Sequence, residues 1–204
     1  MTRLPQAIEA EVAELARRYG TPRRVEATLA GRPFHPLSLE DRYGEVCMVV
    51  RRTNGRILTA IKSFYPSGAF RLLTGGVNHG EGIEAALLRE TREETGLEVA
   101  VRRFLAVIEY RRPPDGDVSA PPDGPDFVTF AFLLDELGGV LGNQDEGERI
   151  AEFREVAVDE LPLLAERLDQ APDADAPEVG GNWRDWGRFR AVVHRVVHAA
   201  LTSP

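Results

Sequence analysis

The chain predicts an α/β protein, a sandwich of helices and strands around one core, because helical and strand signals alternate along its length. Three observations carry that expectation. Residues 5–19, PQAIEAEVAELARRY, set Ile8, Val12, Leu15 and Ala16 at helical spacing. Two β-rich runs, EVCMVVRR and RILTAIK, flank Asn54-Gly55, a strong hairpin signal. Between Gly75 and Leu97 a pair of glycines leads into a helix loaded with carboxylates. The composition allows a real core: of 204 residues, 43% are hydrophobic and 28% charged, an ordinary balance for one domain.

Taken in order, the first helix should end at Gly20 and lie on the domain or against a second subunit, so a homodimer is among the expected assemblies. A shorter apolar segment at 24–35 precedes Pro36. After the hairpin, FYPSGAFRLL should begin as a loop at Pro66 and Gly68 and end as a short strand. LEVAVRRFLAVIEY is rich in β-branched residues and should form one or two strands. Residues 111–126, RRPPDGDVSAPPDGPD, hold five prolines and little apolar mass, which predicts a long loop, mobile without ligand. DFVTFAFLLDE should be a buried strand. An acidic loop, a strand near 153–158 and a helix capped around Asp159 follow. A second soft segment, QAPDADAPEVGG, leads to WRDWGRFRAVVHRVVHAAL, a final helix with its aromatic and aliphatic residues on one side. The division expected is a helix and lead-in at 1–35, the main domain at 36–170, and a linker with a helix packed on the same domain at 171–204.

The chemistry concentrates in GGVNHGEGIEAALLRETREETGL. Residues three and four apart share one side of a helix, so Glu90, Glu93 and Glu94 project within an arc of about 100°. Carboxylates that close raise one another's pKa unless a cation lies between them. Hard oxygen ligands suit Mg²⁺ or Mn²⁺, which often hold substrate phosphates. A solvated charged face would not require a leading glycine, Glu81 and a terminating Gly96 to fall at set intervals as well.

The segment resembles the signature of the Nudix hydrolases: glycine, five residues, glutamate, seven residues, then Arg-Glu-aliphatic-any-Glu-Glu-any-Gly-aliphatic. Only the first aliphatic position departs; it is Thr91, whose hydroxyl predicts a looser contact with the core. The resemblance covers Gly75 to Leu97. It implies an α/β/α fold with a mixed sheet. It further implies that Glu90, Glu93 and Glu94 ligate Mg²⁺ or Mn²⁺, with a backbone carbonyl near Gly75-Gly76 adding a ligand. Arg89, one turn before Glu93, should hold that carboxylate in place. Glu81 has a supporting role in the family, with occasional metal contact. Gly75 and Gly76 are expected to turn tightly and approach the substrate, and Gly96 to form a left-handed cap. His79, in the loop of the motif, is a candidate substrate contact whose plainer reading is solvent exposure. The general base is either a glutamate of the motif or a carboxylate from a distant loop. Glu109, Glu146, Glu148 and Glu152 are the candidates, Glu152 matching a family pattern before the penultimate strand.

The function so implied is divalent-metal-dependent hydrolysis of a pyrophosphate bond in a nucleoside diphosphate linked to another moiety: a nucleotide sugar, ADP-ribose or a nucleoside triphosphate. The alternative is a non-catalytic sensor of a nucleotide metabolite, against which the complete motif argues. RNA 5′ ends are disfavoured as substrates by the net charge of -8, which also offers little to nucleic acid or anionic membranes. The partner expected is a small nucleotide. A cytoplasmic location is expected, since no run reaches membrane-span length and the first residues lack an apolar signal core. Cys47 reads as a small buried hydrophobe. His194 and His198, four apart, read as a helix-surface pair rather than a metal site, and Trp183, Trp186 and Phe189 as core packing rather than a base-stacking platform. Pro113, sixteen residues after Leu97, lies near where a proline marks the ADP-ribose branch of the family.

Overall fold

Side chains alternate across each strand, and here both faces of the sheet are covered by helices. The computed structural model describes residues 4–29, 42–111 and 125–203. Pro113 and the proline-rich stretch at 112–124 lie outside the described residues, as does 30–41. The helices are α1 (Gln6–Tyr19), α2 (Ile83–Thr95), α3 (Leu161–Asp169) and α4 (Trp183–Thr202). The strands are β1 (Arg23–Thr28), β2 (Arg42–Arg51), β3 (Ile57–Lys62), β4 (Leu73–Asn78), β5 (Leu97–Arg111), β6 (Phe127–Gly139) and β7 (Ile150–Val156), with a small pair β8 (Asp175–Ala176) and β9 (Gly181–Asn182).

The seven-stranded sheet runs β1-β5-β6-β2-β3-β7, with β4 also paired to β2. It is mixed: β1–β5 and β2–β6 are parallel, while β5–β6, β2–β4 and β3–β7 are antiparallel. β4 pairs with β2 from Arg42 to Met48, and β3 takes over at Arg51. The period of two is visible on β2. Val46, Met48 and Val50 pack with α1 and α2, whereas Cys47 and Val49 pack with α3 and α4. The result is the expected α/β/α sandwich on a mixed sheet.

Local signals are met in detail. α1 stops at Gly20, whose φ of 89° suits glycine. Gly96 caps α2 in the left-handed region, its N–H donating to the Arg92 carbonyl. LEVAVRRFLAVIEY is a single strand. The run ending FRLL reaches the sheet first through one Arg71–Ala60 bridge, and regular pairing starts at Leu73. Thr91 is fully buried, and its hydroxyl donates to the Leu87 carbonyl at 2.7 Å. The expected looseness there is absent because the helix itself satisfies the hydroxyl. Ahead of α3 the cap belongs to Glu160, which accepts from the Ala157 N–H at 2.7 Å. Trp186 and Phe189 are buried in the core under α4, and Cys47 is buried, its thiol pushed up in pKa by desolvation. His194 is not a surface residue: it is fully buried, its Nε2 accepting from the Leu72 N–H at 3.0 Å. No described helix is long and apolar enough to cross a membrane.

Candidate active site

Helix α2 presents its carboxylates toward β4 and the loop before β7, and the loop is tied to the helix by backbone bonds. Gly142 N–H donates to the Thr95 carbonyl and Gln144 N–H to the Glu93 carbonyl, both at 2.9 Å. These bonds satisfy carbonyls that a helix C-terminus leaves free. They also carry the short 3₁₀ turn Glu146–Glu148 up to the helix, with Asp145 accepting from the Gly147 N–H at 2.8 Å. Ligand atoms of Glu90, Glu94 and Glu148 consequently lie within 4.8 Å of one another.

The tight turn expected at Gly75 and Gly76 is not formed there; both are strand residues in β4. Their role is close approach. A Cβ on Gly75 would sit 2.1 Å from the Glu90 side chain, and one on Gly76 2.6 Å from the Arg42 guanidinium. The turn comes later, at Gly80 with φ of 82°.

Arg89 is the hub of the adjoining network. It donates to Glu81 at 2.8 and 2.9 Å, to Glu90 at 2.9 Å, to Glu93 at 3.0 Å and to the Gly76 carbonyl at 3.1 Å. The Arg89 bonds hold the Glu81 carboxyl below the usual carboxylate range. Glu93 therefore rests on Arg89, with a side chain 43% exposed, beside the three-carboxylate cluster and not within it. His79 is exposed, 6.0 Å from the Tyr43 ring. Among the candidate bases, Glu148 joins the cluster and Glu146 is exposed. Glu109 is buried against Arg24, whereas Glu152 is exposed on β7, 3.8 Å from Arg154.

The electrostatics of the cluster are unbalanced. Burial pushes the Glu94 carboxyl up to about 8, opposed by Arg71 and Lys62 and reinforced by Glu148 and Glu90. Burial likewise raises Glu90, with Arg89 opposing. Glu94 Oε1 is buried and accepts no hydrogen bond from the described residues. A buried acceptor without a donor, within reach of two further carboxylates, fits a hard divalent cation. Lys62 Nζ holds Glu148 at 2.6 Å.

A cleft of about 260 Å³ opens beside the cluster. Glu90, Glu148 and Lys62 line it, Arg42 and Arg71 supply further positive charge, and Glu45 and Arg190 also line it. None of these cations, nor Glu45, belongs to the Gly75–Leu97 motif. One signal for Glu45 was available: it is the lone charge in the apolar run EVCMVV.

The family model described as the NUDIX domain matches residues 42–176. An ADP-ribose pyrophosphatase of Methanocaldococcus jannaschii is 35% identical over 117 residues, 57% of this chain and 63% of that protein. The NAD-capped RNA hydrolase NudC of Vibrio atlanticus is 30% identical over 96 residues, 47% of this chain and 31% of that protein. The chain thus spans less than two thirds of either relative. Among solved structures, an ADP-ribose pyrophosphatase of Streptococcus suis is similar with a TM-score of 0.46, at 15% identity over 78% of this chain and 92% of that one. A MutT NUDIX hydrolase of Burkholderia pseudomallei is similar with a TM-score of 0.42, at 24% identity over 59% and 86%.

Proposed function

Since this chain belongs to the NUDIX family, we propose that it hydrolyses the pyrophosphate bond of a nucleoside diphosphate linked to a second moiety, using Mg²⁺ or Mn²⁺. The observation that carries the reading is the gathering of Glu90, Glu94 and Glu148, with Glu94 Oε1 buried and unsatisfied among the described residues. These three carboxylates would hold the cation. When bound, such an ion neutralises phosphoryl charge and lowers the pKa of an attacking water. Arg89 fixes Glu90 and Glu93 in orientation through charge-assisted bonds. Lys62, Arg42 and Arg71 line the cleft and draw the diphosphate into it. Of the cluster, Glu90 and Glu148 face the cleft. Glu148, less buried than Glu90 and Glu94 and carried on the loop with Lys62 as its partner, is assigned to take the proton of the water.

ADP-ribose heads the substrate options, supported by the name of the archaeal relative. The test is a panel of ADP-ribose, nucleotide sugars, nucleoside triphosphates, NAD and NAD-capped RNA with Mg²⁺ or Mn²⁺, the products identified by mass. Cleavage at the pyrophosphate, lost in chelator, is the expected result. Full turnover in excess chelator would overturn the metal dependence, and binding of ADP-ribose without cleavage under any metal would leave a sensor.

A further inference from the structure

One cation of the cleft has no anionic partner among the described residues. Lys62 donates to Glu148 at 2.6 Å, and Arg190 donates to both Glu45 oxygens at 2.8 Å. Arg71 is 4% exposed, yet its hydrogen bonds all go to neutral oxygens. Nε donates to the Tyr65 hydroxyl at 3.0 Å, and Nη1 to the Leu72 carbonyl at 2.8 Å and the Thr74 hydroxyl at 3.1 Å. A planar guanidinium held at two of its three nitrogens cannot turn. Nη2 is the nitrogen left over. It donates to no described residue and, unlike the enclosed Arg190 Nε, keeps accessible surface on a side chain that lines the cleft. The frame around it is stiff: the Tyr65 ring lies 5.6 Å from the centre of the Arg71 guanidinium and 4.5 Å from the ring of Trp186. Trp186 comes from α4, beyond residues 42–176 matched by the family model. Thr74 precedes Gly75, which lies against Glu90, and the charge of Arg71 is felt at Glu94.

We propose that Arg71 is a substrate-binding residue whose Nη2 donates directly to an oxygen of the diphosphate, with Tyr65 as the positioning residue that aims it. The proposal rests on the pyrophosphohydrolase reading for the identity of the anion as a diphosphate. It goes beyond that reading by separating contact from steering. The charge of Lys62 is answered by Glu148, so Lys62 attracts an anion only weakly, whereas Arg71 has charge and a donor to spare. A guanidinium only donates, and a phosphoryl oxygen only accepts, so the two match without a proton to place. A neutral hydroxyl would leave the buried charge uncompensated, and an apolar group would leave Nη2 without an acceptor as well.

The experiment is calorimetric titration of the full chain with imidodiphosphate, the nitrogen-bridged analogue of pyrophosphate, at fixed Mg²⁺, and separately with Mg²⁺ alone. Arg71→Lys keeps a cation but loses the planar fork, and should bind imidodiphosphate about 10-fold more weakly. Arg71→Met should lose about 100-fold, toward the upper end for hydrogen bonds to charged groups. Tyr65→Phe keeps the ring against Trp186 but removes the acceptor of Nε, and should lose several-fold. Titration with Mg²⁺ alone separates contact from scaffolding. The charge of Arg71 opposes a cation at Glu94, so Arg71→Met should bind Mg²⁺ no less tightly than wild type. A residue that merely props the cluster would weaken both ligands together. Parallel loss of Mg²⁺ and imidodiphosphate therefore overturns the proposal, as does wild-type imidodiphosphate affinity in Arg71→Lys. Should Arg71→Met fail to fold, Arg71→Lys decides by the same two titrations. Neither titration needs turnover. A silent protein whose imidodiphosphate affinity depends on Arg71 loses the hydrolase reading and keeps the contact, whereas an active one indifferent to Arg71→Lys keeps the reading and loses the contact.

Discussion

The two ends of α2 treat charge in opposite ways. At its start the carboxylates are paired and the first N–H is capped. Gly82 has no side chain to cap the helix, so Glu11 from α1 accepts the Ile83 N–H at 2.6 Å. Arg18 and Tyr19, also from α1, bind Glu84, and Arg89 binds Glu81. Toward its end, Glu90 and Glu94 crowd against Glu148, and Glu94 Oε1 has no donor among the described residues. Burial makes such an excess costly, and a proton or a cation relieves it. The difference separates a scaffold whose charges are paired from the site proposed to bind the cation.

Breaking the unbalanced end should have the largest effect. Glu94→Gln should cut kcat/KM in Mg²⁺ by about 10²-fold or more, the scale of lost metal positioning. Its effect on metal-free stability runs the other way. Because the folded pKa of Glu94 is raised to about 8, its contribution is present below the unfolded value near 4.5 and is lost as pH rises to about 8. Melting in chelator should therefore show Glu94→Gln more stable than wild type at pH 8 but not at pH 4.5, and Mg²⁺ should no longer raise its melting temperature. A variant destabilised at pH 8 would mean that the charge at this position is already compensated.

A buried base sharpens the contrast by responding with the opposite sign. Burial, with Arg71, Arg190 and Arg195 nearby, lowers His194 from 6.5 to about 4, the bond with the Arg190 carbonyl opposing. Its stabilisation is full above about 6.5 and is lost as pH falls toward 4, a contribution of about 3 kcal/mol. In an NMR titration its ring signals should stay those of neutral imidazole down to the region of pH 4. Titration near 6.5 would contradict the burial.

Removing Arg89 should come next. Arg89→Met strips a shared cation from Glu81, Glu90 and Glu93, and a loss of about 2 kcal/mol or more is expected, seen as a fall of several degrees in melting temperature. Mg²⁺ affinity should drop in the same variant, since Glu90 loses its orientation; unchanged affinity would show that Glu90 is held by packing alone. The smallest effect belongs to the distant cap. Glu11→Ala should cost about 1 kcal/mol and Glu11→Gln much less, because the amide oxygen still accepts the Ile83 N–H. Equal melting of both variants with wild type would mean that water replaces the cap.

What the sequence by itself determined was local or periodic. The 3.6-residue repeat set Glu90, Glu93 and Glu94 on one side of α2 and placed Arg89 against Glu93, because helical neighbours are fixed by backbone geometry alone. Gly96 and Asn54-Gly55 announced a cap and a hairpin for the same reason. Tertiary structure decided which partners arrive from afar. It chose Glu148 over Glu109, Glu146 and Glu152 for the cluster, through backbone bonds that no side-chain pattern encodes. It put Gly75 and Gly76 in a strand, where the constraint is the Glu90 and Arg42 side chains rather than a turn. It buried His194, whose helical spacing to His198 says only that they share a face, not which face is covered. Above all it paired Glu45 with Arg190 across 145 residues of chain. Periodicity reports how a residue faces its neighbours along one element; which elements meet depends on the packing free energy of the whole core, and that is settled only when the chain folds.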